Sequence, residues 1–202
     1  VPQDRKRVFL VAARDGVLPP RPEQEYQDHQ TTTHDLDALP PVTLEDAIGD
    51  LPARAADSGW VVQRWKRTPS EADRRYLSKF GLLSKGELLY NHTVRYHNAN
   101  DLELYGTLRP GEDGVHLAEN HGRGDLMKYR QDVFDDKYHR LRMDRPCKTI
   151  VSHLAKDGNG YVHPTQVRSI SLREAARAQS FPDEHVFCGS PSDQWVQLGN
   201  AV

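Results

Sequence analysis

Cysteine is scarce in this chain: 202 residues hold two, Cys147 and Cys188. A disulfide framework is thereby excluded, and the usage fits a reducing, cytoplasmic setting. The two cysteines lie 41 residues apart, and no C-x2-C or H-x3-H spacing joins them to the ten histidines, so no metal site is expected. No apolar run approaches the roughly 18 residues of a membrane span, and no signal peptide is visible. Internal repeats and long low-complexity stretches are absent as well. The chain opens on Val1 rather than methionine, so Val1 is expected not to be the natural start. What remains is 37% hydrophobic and 28% charged residues, which suits one substantial domain, or parts of two, with a modest core.

The net charge of −2 conceals an uneven distribution. From Glu23 to Asp57 there are nine acidic residues against one arginine, Arg54. From Arg64 to Lys79 six basic residues face Glu71 and Asp73, and from Arg123 to Lys148 eight basic residues face five acidic. A nucleic-acid surface would therefore draw on residues after about 60, with the acidic stretch facing elsewhere.

Local patterns place several elements. Val8 to Ala13 is a continuous apolar run, as in a strand buried on both faces of a parallel sheet. Arg5 and Arg7 precede it at a spacing of two, so an extended chain points both to one side. The segment from Gly16 to Pro22 reads as a loop, and 23–41 as a linker ending in Pro40-Pro41. Thr43 to Gly49 is a short capped helix with Gly49 as its stop. Another helix starts at Thr68-Pro69 and is expected to reach Phe80, burying Tyr76, Leu77 and Phe80. Lys148 to Leu154 alternates like a strand, the run from Asp157 to Gly160 is a turn, and Tyr161-Val162 starts a returning strand.

The tail carries two punctuated helices. Ser171 and Glu174 form a capping-box pattern, and Pro182 stops that helix after Phe181. Ser190 caps the second, with Pro191 at its first position and Gly199 as its exit. The order of residues from Arg168 to Asp183 and from Gln197 to Val202 resembles motifs nine and ten of the DNA cytosine-5 methyltransferases. Pro2-Gln3-Asp4-Arg5-Lys6-Arg7 resembles motif eight of the same family, and the helix at 43–49 also has a counterpart there. Three motifs stand in the family's order.

The resemblance implies an α/β fold: the C-terminal remnant of a Rossmann-like, S-adenosylmethionine-dependent methyltransferase domain with an inserted, smaller α+β recognition lobe. On that reading 1–59 ends the catalytic sheet and forms a linker, 60–165 is the target recognition domain, and 166–202 returns to the catalytic domain. It implies methyl transfer to carbon 5 of a cytosine flipped out of duplex DNA, after a cysteine thiolate adds to carbon 6 and a glutamate assists by protonating the ring nitrogen. Arg7 would hold the flipped cytosine through its exocyclic oxygen and Arg5 a phosphate or loop. Asn200, Ala201 and Val202 would close part of a cofactor pocket that this chain leaves incomplete, while Arg173 and Glu174 would be structural.

Candidate DNA contacts are Gln3, Asn91, His92, Arg95, Arg130, Arg140 and Arg142. The polar run from Asn91 to Asp101 could touch phosphates or base edges, or stabilise the lobe internally. The basic-aromatic segment containing Tyr129, Arg130, Lys137, Tyr138, Arg140, Arg142 and Arg145 could neutralise phosphates or form a solvated face. Trp60 and Trp65, beside Arg64, Lys66 and Arg67, are either core anchors or stacking platforms. The family's nucleophile sits in a Pro-Cys dipeptide upstream of motif eight. Pro146-Cys147 lies downstream and is followed by Lys148-Thr149-Ile150, so Cys147 reads as a strand-edge residue. The chain is accordingly expected to be part of a longer enzyme, inactive alone, whose partners are double-stranded DNA and an N-terminal catalytic half in cis or on a separate chain. The alternatives are a non-catalytic DNA-binding module, a subunit of a split methyltransferase, and a related RNA methyltransferase.

Overall fold

The computed structural model describes residues 2–4, 14, 16–20, 39–54, 63–64, 76–83, 86–128, 137–156 and 158–201. The strand expected at 8–13, the start of the helix expected from 68, and Trp60, Trp65 and Tyr129 lie outside the described residues. In chain order the elements are β1 (Gln3–Asp4), α1 (Leu44–Ile48), β2 (Gln63–Arg64), β3 (Leu88–Leu89), α2 (Ala99–Thr107), α3 (Gly114–His121), β4 (Cys147–Lys148), α4 (Leu172–Ala178) and α5 (Pro191–Gly199), with 3-10 turns at Gly124–Leu126, Ser152–Ala155 and Gly158–Gly160. β1 pairs in parallel with β4, Gln3 opposite Cys147, and β2 pairs antiparallel with β3. No helix among the described residues is long and apolar enough to cross a membrane.

The helix starts follow from their caps. Thr43, Ser171 and Ser190 each accept from the backbone amide three residues on, and Asp46, Glu174 and Asp193 return the bond to the cap's own amide. Two of the four orphan donors at each helix start are satisfied this way. α4 ends three residues before Phe181, sooner than Pro182 alone requires. Ser180 takes a left-handed conformation (φ 66), Ser180 N–H donates to Arg177 O (2.9 Å), and Phe181 N–H donates to Ala176 O (3.0 Å). This is a Schellman stop with serine where glycine is usual.

Two further expectations are corrected. Phe80 is 49% exposed, while Tyr76 and Leu77 are buried. Gly81, at φ 62, reverses the chain so that Leu82 N–H reaches Leu77 O (2.8 Å), and Leu82 fills the core instead. The strand expected over 148–154 is two residues long and gives way to the turn at Ser152–Ala155. There the Tyr161 hydroxyl replaces a ladder partner, donating to Thr149 O (2.6 Å) and accepting from Val151 N–H (3.3 Å).

Among the described residues apolar burial divides into two clusters. Leu44, Ala47 and Ile48 of α1 pack with Tyr76, Leu77, Leu82, Ile150, Leu154, Tyr161, the alanines of α4, and Trp195 and Leu198 of α5. Leu104, Tyr105, Leu108, Leu117, Leu126, Tyr138 and Val162 form the second cluster, around α2 and α3. Within the interval 60–165, then, α2 and α3 have a core of their own with Leu126, Tyr138 and Val162, while Tyr76, Leu77, Leu82, Leu141, Ile150, Leu154 and Tyr161 share that of α1 and α4.

Candidate functional site

α4 and the residues leading into it form the polar centre of the molecule. Arg168, Arg173 and Arg177 are all fully buried. Arg168 grips Glu174 with both terminal nitrogens (2.8 and 2.6 Å), and its Nε donates to Gln166 Oε1 (2.9 Å) and Arg54 O (3.1 Å). Glu174 also accepts from Ser171 N–H (2.6 Å), so one carboxylate closes the helix cap and neutralises a buried cation. Burial pushes that carboxyl up, but the Arg168 fork and His163 outweigh it and hold it well below the usual range. Arg177 makes the same two-pronged contact with Asp183 (2.7 Å each), joined by Asp50 and by Ala47 O (3.0 Å). Among the described residues Arg173 bonds only backbone: Tyr90 O (2.9 Å), Pro182 O (2.9 Å) and His185 O (2.7 Å). Its burial lowers it to about 10.

Segment 91–97 lies against this centre, and the side chains of Asn91, His92 and His97 bond to residues of 169–194 around it. Asn91, left-handed at φ 57, donates to Phe187 O and Gln194 Oε1 and accepts from Phe187 N–H, each at 3.0 Å. His92 Nε2–H donates to Pro52 O (2.8 Å), since a carbonyl can only accept; its Nδ1 therefore receives the Ser171 hydroxyl (2.8 Å). His97 Nε2 accepts from Ser169 N–H (3.2 Å), which fixes it neutral, and burial pulls it down to about 4. Arg95 donates to Ala155 O (2.9 Å) and Leu154 O and lays its guanidinium 3.9 Å from the centre of the Trp195 ring. Arg140 is buried too, donating to Tyr105 O (2.8 Å) and Leu108 O (2.7 Å) at the end of α2 and to Pro164 O (3.1 Å). The donors of Asn91, His92 and Arg140 are thus engaged in internal bonds in this structure.

The other candidates are placed differently. Arg142 is exposed, paired two-pronged with Asp144 (2.8 and 2.6 Å), with its stem beside the turn at Gly111 (φ 90). Gln3 is buried in β1, beside β4. Asn200 ends α5 and is exposed, its backbone amide donating to Val196 O (3.0 Å), and Ala201 follows half-buried. Arg5, Arg7, Arg130 and Val202 lie outside the described residues. Among the described residues no three His, Cys, Asp or Glu side chains gather to hold a metal ion.

The cysteines differ in kind. Cys147 is fully buried in β4, its amide donating to Pro2 O (2.8 Å), and burial pushes its thiol up to about 12. Such a thiol carries almost no thiolate at neutral pH, and the thiolate is the nucleophile. Cys188 is exposed in the loop before α5 and follows Phe187 rather than proline.

The sequence reading missed the two ion pairs Arg168–Glu174 and Arg177–Asp183. Both span six residues, a spacing with no helical signature. The available signal was two arginines four apart in an otherwise alanine-rich helix, where small neighbours let backbone approach the charge.

Comparison with known proteins extends over the whole chain. Residues 1–202 match the family of C-5 cytosine-specific DNA methylases. The type II methyltransferase M.AgeI of Thalassovita gelatinovora is 30% identical over all of this chain and 60% of its own length. M.DdeI of Desulfomicrobium norvegicum is 29% identical over all of this chain and 48% of its own. A solved structure titled as a putative DNA modification methyltransferase encoded within a prophage of E. coli superposes with a TM-score of 0.50, at 22% identity, over 81% of this chain and 43% of that one. The chain therefore spans about half the length of these relatives, and the shared fold is the α/β methyltransferase fold.

Proposed function

Since this chain belongs to the C-5 cytosine-specific DNA methylase family, we propose that it is the DNA-reading and docking portion, C-terminal in position, of an enzyme that methylates carbon 5 of cytosine in a specific duplex sequence. The supporting observation is the state of its cysteines. Cys147, the only cysteine that follows proline, is sealed in β4 with its thiol raised to about 12, so the nucleophile comes from residues outside these 202. That the relatives are about twice as long supports the same division.

The parts then have separate tasks. Arg7 holds the flipped cytosine and Arg5 a phosphate, in a step that costs a few kcal/mol of unstacking. Arg142 and Arg130 serve the DNA backbone, where each neutralised phosphate steepens the salt dependence of binding. The buried arginines of α4 tie residues 47–50, Tyr90 and the loop at 182–185 to one helix, which suits a part that presents the reading surface to the catalytic part in one geometry. When bound, S-adenosylmethionine supplies the methyl group. The exposed carboxamide of Asn200, with Ala201 and Val202, suits the polar rim of its pocket.

The test is Cys147→Ala in the complete enzyme, assayed by transfer of labelled methyl groups into duplex DNA. Retained incorporation is expected; loss of incorporation with the fold and DNA affinity intact would overturn the assignment.

A further inference from the structure

The polar run Asn91-His92-Thr93-Val94-Arg95-Tyr96-His97 has no place in the reaction described above, yet its polar groups reach both tail helices. Asn91 holds Gln194 of α5, His92 holds the Ser171 cap of α4, and His97 holds Ser169. The backbone adds Leu172 N–H to Thr93 O (3.1 Å) and Arg173 N–H to Asn91 O (3.0 Å). Immediately afterwards Asn98 caps α2, the first helix of the second core. Segment 91–97 is thus a rail: one end continues into the helical segment, and its side fixes the register of α4 and α5.

Arg95 is the member of this rail that touches the middle of α5. Its guanidinium covers Trp195, five residues before Asn200, and its terminal nitrogens hold the carbonyls of Leu154 and Ala155. The same turn, at Ser152, lies against Gly199: a Cβ added there would stand 3.0 Å from Ser152 O. Middle and last turn of α5 are therefore set by one short turn of chain, and Arg95 fixes that turn and the helix together. Among the described residues no carboxylate forms an ion pair with Arg95; the ring face and the carbonyl dipoles meet its charge. A lysine retains the charge but cannot stack as a plane while donating from two nitrogens.

We propose that Arg95 is a positioning residue for the cofactor end of the enzyme, holding Asn200 and Ala201 in register with the DNA-reading segment through Trp195 and the turn at Ser152–Ala155. The proposal rests on the reading of Asn200 as part of the S-adenosylmethionine pocket. It is tested by steady-state kinetics of the complete enzyme carrying Arg95→Lys, Trp195→Phe or Asn200→Ala. Arg95→Lys and Trp195→Phe are expected to raise KM for S-adenosylmethionine roughly five- to tenfold, the loss of about one well-made contact, with KM for DNA and kcat little changed. A merely structural role would lower the active fraction, and so kcat, without this split. Unchanged KM for S-adenosylmethionine in both variants, or equal rises for both substrates, overturns the proposal. If Asn200→Ala alone is silent, the pocket reading fails, and with it the route from Arg95. If Asn200→Ala raises KM and Arg95→Lys does not, only the role of Arg95 fails.

Discussion

At the scale of single residues, the chain separates ion pairs that hold the fold from those that decorate it. Arg168–Glu174 and Arg177–Asp183 are two-pronged and almost wholly buried, whereas Arg142–Asp144 has similar geometry in solvent. Removing one partner of a buried pair strands a charge that costs several kcal/mol to keep out of water, while a solvated partner simply rehydrates. Glu174→Gln is therefore expected to lower unfolding free energy by about 3–5 kcal/mol in urea titration. Asp144→Ala should leave the urea midpoint where it was. Equal effects would refute the distinction. The buried histidines set a pH dependence of definite sign. His92 and His97 are pulled below the ordinary imidazole value by burial, and both use a ring lone pair to accept a hydrogen bond. The unfolded chain thus takes up their protons first, near pH ~6.5, so their stability is complete above that pH. It is lost as pH falls through 6.5 toward about 4, where folded His97 also protonates. The Glu174 contribution disappears only at still lower pH, because its carboxyl is held well below the usual range. A thermal unfolding midpoint lower at pH 5 than at pH 7.5 is expected, with His97→Gln flattening the profile; a midpoint independent of pH over that interval would contradict it.

At the scale of elements, the legible parts were those whose signal is local. The starts of α1, α4 and α5 were readable because a capping serine or threonine and its acidic partner lie three residues apart, and that pair makes the bonds. The strand expected at 148–154 was not readable. What ends it is the Tyr161 hydroxyl, brought from another turn, and no periodicity records a tertiary partner. Segment 91–97 was legible as polar but not as internal, since the same side chains bind bases or backbone according to what lies opposite. Gly199 shows how magnitude decides between readings. Its sequence position suggests a helix exit, yet it is the last residue of α5, and a left-handed backbone is not its reason for being glycine. Helix propensity alone would have Gly199→Ala stabilise by about 0.5–1 kcal/mol. The new methyl would meet the Ser152 backbone at 3.0 to 3.3 Å, and backbone cannot swing aside as a side chain can. Overpacking costs about 1–3 kcal/mol and is expected to win. A lower midpoint for Gly199→Ala in urea supports the close contact; a higher one would show that propensity prevails.

At the scale of the whole molecule, the described residues form two apolar clusters and a buried polar centre, an arrangement that suits the proposed orienting role. The family assignment rests on the full length of the chain, and relatives about twice as long supply room for the rest. Arg168, Arg173 and Arg177 bind carbonyls and carboxylates from 47–54, 90 and 182–185, tying distant segments to one helix. The central claim is that these residues read and position DNA while the attacking thiolate lies elsewhere. The most direct test is transfer of labelled methyl groups from S-adenosylmethionine to duplex DNA by the purified 202-residue chain. No incorporation is predicted; incorporation that disappears with Cys147→Ala would contradict the account.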